Sequence, residues 1–388
     1  MSVAVGMASP ELLALTLALT FRFNESTMSS RLGNKIRGSV MSDGSMRRGM
    51  GWSTMADVAR EAGVSLMTVS RVYKRPDSVA QRTREKVLET GRRLGFSPNS
   101  IAGNLASGRT SMIGIVVPSL RNSNNATSIQ GMADYLRQAS YHFMIANTGY
   151  SMEDEAAVVK AFMQRRPDGM VLTGTRHGHE TIDLLKAAHM PVVETWETRG
   201  PFIDMATGFD NYEAARRITR HLVDRGYRTI GYIDYPAIGL DRYLERLRGL
   251  KDELGSAGLE PTSVVSPLDA GDLYQDASSF RGGALGLRKL QEASRDIDAV
   301  LCASDILAVG VLFECQRQGV RVPDQLAVAG FGDFEIAAEV PPGLTTIRTH
   351  GYQIGWNAAE MLVTRINQPR AEIPLRDVGY DLVVRGSS

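Results

Sequence analysis

The chain has 388 residues, of which 43% are hydrophobic and 22% charged, and its formal net charge is +1. That composition excludes a wholly disordered chain and a uniformly polyanion-binding one, and the length allows two or three domains. Two cysteines exclude a disulfide framework. No apolar run reaches the roughly 18–20 residues of a membrane span, so no membrane partner and a reducing, cytoplasmic setting are expected.

Residues 1–51 are rich in Ser, Gly and Met, show no sustained period, and read as disordered or as an extension upstream of the true start. The apolar run at 12–19 lacks the basic flank and cleavage site of a secretory leader. Charge is unevenly spread: residues 52–110 carry ten basic against five acidic side chains, whereas 111–388 are net negative. A short basic module joined to a longer acidic one suggests a polyanion-binding unit attached to something else.

Residues 52–97 read as a helix-turn-helix domain. Thr54 can cap a helix over 55–62, with Asp57 completing a capping box. Gly63 suits a left-handed bend, and Ser65 can cap a second helix over 66–72. In that helix Val69 and Val72 face inward, while Leu66, Met67, Ser70 and Arg71 face out. Such a second helix presents its N-terminal residues to base edges in the major groove. Arg71 can fork onto guanine, Leu66 and Met67 can touch thymine methyls, and Thr68 and Ser70 can bond phosphates or bases. A third helix is expected over 83–94, with Ala80 where a capping hydroxyl is usual and Ser78 the alternative cap. Residues 98–110 form a linker whose segment 100–106 is too short to be a stable helix alone.

The motifs Asp57-Val58-Ala59, Ala62-Gly63-Val64-Ser65, Thr68-Val69-Ser70-Arg71-Val72 and Gly95-Phe96-Ser97-Pro98-Asn99 resemble the head of the lactose-repressor/galactose-repressor (LacI/GalR) family of bacterial transcription regulators. The resemblance implies that Thr54, Ser65, Leu66, Met67, Thr68, Ser70 and Arg71 contact DNA. It also implies a hinge helix in which Leu105 wedges into the minor groove beside Asn99 and Ala102. An apolar wedge of that kind unstacks a base step and kinks the duplex.

Residues 111–388 alternate strands and helices. Strands are expected over 112–117, 142–146, 169–172, 191–194, 229–233, 299–302 and 325–330. Helices are expected over 127–139, 154–165, 211–225, 244–254, 305–318 and 352–366. The fold class is therefore an all-α head followed by an α/β region of doubly wound parallel sheets, which bind ligands outside the carboxyl ends of their strands. Candidate effector residues at such positions are Ser119, Asn125, Thr148, Thr175, Glu194, Trp196, Asp210, Asn211, Arg246 and Asp305. Hydroxyls, amides, carboxylates, an arginine and a tryptophan suit a polyhydroxylated ligand. Asp210 and Asp305 equally suit helix caps.

Here too the family resemblance holds. It implies a periplasmic-binding-protein-like core of two subdomains with a cleft between them. Arg246-Leu247-Arg248-Gly249 resembles the family's R-x-x-G effector motif, and Asp305 matches a ligand-binding aspartate. Likeness to the family's gluconate-operon repressors implies gluconate or a related sugar acid as effector, a neutral or phosphorylated sugar being the alternative. Implied partners are a palindromic operator and a second copy in a homodimer. No cofactor is expected.

Enzyme readings fail on motif: G-x-x-x-x-G-K-[ST], G-x-G-x-x-G and G-x-S-x-G are all absent. His177-Gly178-His179 is weak zinc evidence and reads as an exposed loop. Cys302 and Cys315 read as small buried apolar residues. A transport receptor would need a secretory leader and no DNA head, which is the reverse of the pattern.

Overall fold

The computed structural model describes residues 53–97, 109–121, 123–234, 240–260, 263–266, 279–294 and 296–388. The hinge candidates Asn99, Ala102 and Leu105 lie outside them. The chain separates into two compact units, residues 1–98 and 99–388.

The described residues of the first unit form the helices α1 (Met55–Ala62), α2 (Leu66–Lys74) and α3 (Gln81–Arg93). Its local signals act as the chain pattern predicts. Thr54 Oγ1 accepts from the amide of Asp57 at 3.2 Å, and Asp57 Oδ2 accepts from the amide of Thr54 at 2.9 Å. Gly63 ends α1 at φ 63°, and Ser65 Oγ accepts from the amide of Thr68 at 3.1 Å. Val58, Ala62, Val69, Val72 and Val87 form the core. The third helix begins two residues earlier than expected, behind an Ala80 that supplies no side-chain cap. Ser78 does not replace it, because its hydroxyl donates to the carbonyl of Arg75.

Among the described residues the second unit forms two six-stranded sheets. The first takes β1 (Met112–Val117), β2 (His142–Asn147), β3 (Gly169–Thr173), β4 (Val192–Thr195), β5 (Met205–Gly208) and the short β11 (Arg376–Asp377). Their order is β2-β1-β3-β4-β5-β11, all parallel. The second sheet takes β6 (Ile230–Ile233), β7 (Ser263–Val265), β8 (Ala299–Cys302), β9 (Ala327–Gly332), β10 (Thr345–Arg348) and β12 (Asp381–Val383). Its order is β7-β6-β8-β9-β10-β12, parallel except for β12, which runs antiparallel to β10. Each sheet thus repeats one doubly wound plan, and the chain passes between them after β5, β10 and β11.

Between the strands run α4 (Ser123–Gln138), α5 (Met152–Met163), α6 (His179–Ala187), α7 (Asn211–Asp224), α8 (Asp241–Ser256), α9 (Phe280–Ala293), α10 (Asp305–Gln318), the short α11 (Glu335–Glu339) and α12 (Gly351–Asn367). Helix α12 returns to the first sheet and packs on α4 so closely that a Cβ at Gly355 would lie 1.8 Å from the carbonyl oxygen of Ser128. The strands at Ile113, Val171, Val300 and Val328 are buried on both faces, which is why they read as unbroken apolar runs rather than alternating ones. Strands β5, β7, β10, β11 and β12 and helices α6, α9 and α11 are not among the expected elements. Strand β9 begins two residues later than expected, because the amide of Gln325 closes a turn onto the carbonyl of Arg321.

Candidate functional site

The outward face of α2 is built first. Burial of Val69 and Val72 against α1 and α3 turns Leu66 and Met67 to the surface, where they are 53% and 63% exposed. Arg71, one turn beyond Met67, is exposed as well. Thr68 and Ser70 are half-buried, with the Thr68 hydroxyl 2.9 Å from Ser65 Oγ. The Thr54 hydroxyl is engaged with Asp57 at 2.6 Å. That hydrogen bond, with the Thr54 amide and Arg60, holds the Asp57 carboxyl down at about 2. Arg60 and Arg93 pair with Asp57 and Glu61, whereas the exposed Arg71 carries its charge beside two apolar side chains. An accessible strip of two apolar groups followed by a guanidinium can meet thymine methyls and a guanine edge.

In the second unit several candidates converge at the carboxyl ends of the strands. Asn211, fully buried at the start of α7, donates from Nδ2 to the carbonyl of Trp196 at 2.7 Å and to Glu197 Oε2 at 3.2 Å. Its Oδ1 accepts from Arg246 Nε at 2.8 Å. Arg246 Nη1 donates to the carbonyl of Ala303 at 2.9 Å, and its guanidinium lies 3.7 Å from the Phe331 ring centroid. Burial pushes the Arg246 pKa down. Trp196 is buried, sits at φ 78°, and packs its indole against Gly351 at the start of α12. Asp305 is also buried and accepts from Thr346 Oγ1 at 2.5 Å and from the amide of Phe334 at 2.8 Å. Burial raises its carboxyl to about 6 against those two hydrogen bonds.

The remaining candidates are engaged with other groups of the protein. Ser119 accepts from the amide of Arg121 through Oγ, and from Asn125 Nδ2 at 2.7 Å through its carbonyl. Asn125 lies within the first turn of α4, which begins four residues before its expected start. The Thr148 amide donates to the carbonyl of Val117. Asp210 is the N-cap of α7 and also accepts a fork from Arg199 at 2.9 and 2.7 Å. Glu194 is fully buried; its Oε2 accepts from the amide of Ile203, and its Oε1 lies 3.4 Å from His177 Nε2.

That last contact corrects one expectation. His177 is not on an exposed loop: its side chain is fully buried, with Nδ1 2.9 Å from Glu155 Oε1. Burial opposes the imidazolium, yet the two carboxylates outweigh it and raise the group to about 10. His179 begins α6. Cys302 and Cys315 are buried and unbonded. Among the described residues no group of three His, Cys, Asp or Glu side chains is placed to hold a metal ion.

Three neighbours were missed by pattern reading. Asp241, on the first turn of α8, accepts through Oδ2 from both the amide and the hydroxyl of Thr175, joining the second sheet's layer to the loop after β3. Arg242 beside it is buried, and so is Glu197, whose carboxyl burial raises to about 7. Asp241 carries no local signal, because Thr175 lies 66 residues away, and nothing in the chain pattern marks Arg242 or Glu197 as buried. The assembled cleft offers amides, hydroxyls, two buried guanidinium groups and an aromatic wall, a surface suited to a polar, hydroxylated small molecule.

Comparison with known proteins bears on both units. The sequence profile of the lacI family of bacterial regulatory proteins matches residues 54–99, and that of a periplasmic binding protein-like domain matches residues 219–388. The chain is 34% identical over 334 residues to the HTH-type transcriptional regulator GntR of Escherichia coli (strain K12), covering 86% of this chain and 98% of that protein. A crystal structure of a LacI-family transcriptional regulator from Silicibacter pomeroyi superimposes with a TM-score of 0.78 at 30% identity, over 86% of this chain and 99% of that one. The lac repressor dimer bound to operator shares the fold, with a TM-score of 0.72 at 23% identity over 87% and 99% of the two chains.

Proposed function

The chain belongs to the lacI family of bacterial regulatory proteins and is a DNA-binding transcription regulator, and on that premise we propose that it represses genes of sugar-acid catabolism and is controlled by a sugar acid such as gluconate. Two chains pair through the second unit and set two heads on the half-sites of a palindrome, since a two-fold dimer matches a two-fold site. In each head the start of α2 enters the major groove. There Leu66 and Met67 make apolar contacts, Arg71 reads a guanine, and Thr54, Ser65, Thr68 and Ser70 meet phosphates or base edges. The hinge positions Asn99, Ala102 and Leu105 serve the minor groove at the operator centre. A regulator of this kind acts in the cytoplasm; among the described residues no helix is long and apolar enough to cross a membrane.

The effector occupies the cleft around Asn211, Arg246 and Asp305, with Ser119, Asn125, Thr148, Thr175, Glu194, Trp196 and Asp210 supplying or positioning its walls. Closing on the effector shifts the two subdomains, disturbs the hinge and releases DNA. The size of that response equals the effector's differential affinity for the two states.

The observation that carries the DNA reading is the exposure of Leu66 and Met67 beside Arg71, on a helix whose other face is fully packed. The test is a gel shift on a palindromic duplex across a salt series, with and without D-gluconate. Saturable binding that weakens with salt and with the acid is expected. Binding that does not distinguish the palindrome from random duplex would contradict the proposal.

A further inference from the structure

We propose that Arg242 is the seat of the effector's carboxylate, so that the cleft selects a polyhydroxy acid by its charged end; this rests on the sugar-acid reading above. Arg242 lies one helical turn before Arg246 on the same face of α8 and is only 6% exposed. Its Nη1 meets no hydrogen-bond partner among the described residues. The neighbouring carboxylate oxygen, Asp241 Oδ1, lies 3.6 Å away and already accepts from the Arg242 amide at 2.8 Å. The other oxygen of Asp241 is taken by Thr175. The Asp241 carboxylate and the Tyr243 ring, whose centroid lies 5.2 Å from the guanidinium carbon, offset the charge of Arg242, but a buried N–H with no acceptor is still costly.

Arg246 differs. Its Nε and Nη1 are occupied by Asn211 and the carbonyl of Ala303, and its flat face lies on Phe331. It holds the wall of the cleft together, while Arg242 keeps an open donor. Two more buried groups lack hydrogen-bond partners among the described residues: Tyr232 Oη on β6, a strand residue whose field reaches Arg246, and Ser304 Oγ at the start of α10, next to the Ala303 carbonyl that Arg246 holds. One open guanidinium arm and two open hydroxyls are the complement of a carboxylate that carries hydroxyl groups. The acids nearby choose among anions. Asp241 adjoins Arg242, and Glu197 acts on Arg246. That negative charge disfavours a phosphate dianion and leaves room for a carboxylate monoanion.

The test titrates D-gluconate, D-glucose and D-glucose 6-phosphate calorimetrically into the full chain and into R242Q and R242K. Gluconate is expected to bind the parent chain at least about tenfold more tightly than glucose, and R242Q to lose that margin, since a charge-assisted hydrogen bond is worth about that factor or more. R242K, which keeps a charge without the fork, should recover part of it, and it carries the comparison if R242Q does not fold. The ligand-free thermal midpoint of each variant separates lost binding from lost structure. Unchanged gluconate affinity in R242Q or R242K would overturn the role of Arg242 and leave the sugar-acid reading standing. Tighter binding of glucose 6-phosphate than of gluconate would overturn the carboxylate assignment. Glucose binding as tightly as gluconate, or no gluconate binding, would overturn both.

Discussion

The hydroxyl of Thr175 donates to the carboxylate of Asp241 at 2.9 Å, and the Thr175 amide donates to the same oxygen. Thr175 follows β3 of the first sheet, and Asp241 opens α8 over the second. The pair therefore fastens one subdomain to the other beside Arg242. Replacing Thr175 with Val leaves the amide bond but removes the hydroxyl one, and Asp241→Asn removes the charge from both. Each change favours the open cleft, so the effector concentration for half-response should rise by about 10- to 150-fold, the worth of one charged hydrogen bond. Operator release measured against D-gluconate concentration checks it; an unshifted midpoint in both variants would remove the latch from the account.

A second expectation concerns the head. Leu66→Ala and Met67→Ala take away exposed side chains, so folding stability should change by no more than about 0.5 kcal/mol. Operator affinity should nonetheless fall by about 1 kcal/mol or more for each. Val69→Ala, fully buried two positions beyond Met67, should do the reverse at the first step and cost about 2 kcal/mol of stability. Denaturant unfolding and anisotropy with labelled duplex separate the two effects. Equal destabilisation by all three changes would mean that α2 has no free face.

His177 gives the molecule a pH signature. An unfolded histidine titrates near 6.5, and in the folded chain the group is raised to about 10. The stabilisation is fully present below about pH 6.5 and is lost as pH rises through about 10. The thermal midpoint should fall over that interval by the equivalent of a few kcal/mol, and His177→Gln should flatten the fall. A parent curve that is level from pH 7 to 10 would rule out a charged His177 between Glu155 and Glu194.

Glu197 acts in a lower window. Burial raises its carboxyl to about 7, above the ordinary 4.5, against the amides of Thr198 and Arg199 that favour the anion. Its contribution is complete below about pH 4.5 and disappears as pH climbs through about 7. Glu197→Gln, which keeps the shape and an acceptor, should lessen the loss of stability between those values. Effector affinity followed across the same range tells whether the proton also matters to the neighbouring Arg246.

Local chemistry made much of this legible in advance. Thr54, Asp57, Gly63 and Ser65 announced the ends of α1 and the start of α2, because caps and left-handed bends depend on residues a few positions apart. The run over α10 was read to its final bounds, since its apolar residues continue until Gly319 closes the helix at φ 71°. Strands of two to four residues, such as β5 and β11, carry too few side chains to show a period. In the candidate cleft, residue type and position after a strand were readable, but partnership was not. Asp210 proved to be a helix cap forked by Arg199, and His177 found Glu155 22 residues away. Thr175 and Asp241 lie 66 residues apart, a pairing that only the folded sheets create.

A DNA-reading head and an acid-sensing cleft act together in this chain, and one measurement addresses both. Fluorescence anisotropy of a labelled palindromic duplex, saturated with the full chain at fixed salt, is followed while D-gluconate is added and, in parallel, D-glucose. The account predicts saturable release of the duplex by gluconate at concentrations where glucose leaves the complex intact. A complex indifferent to gluconate across the whole titration would contradict it.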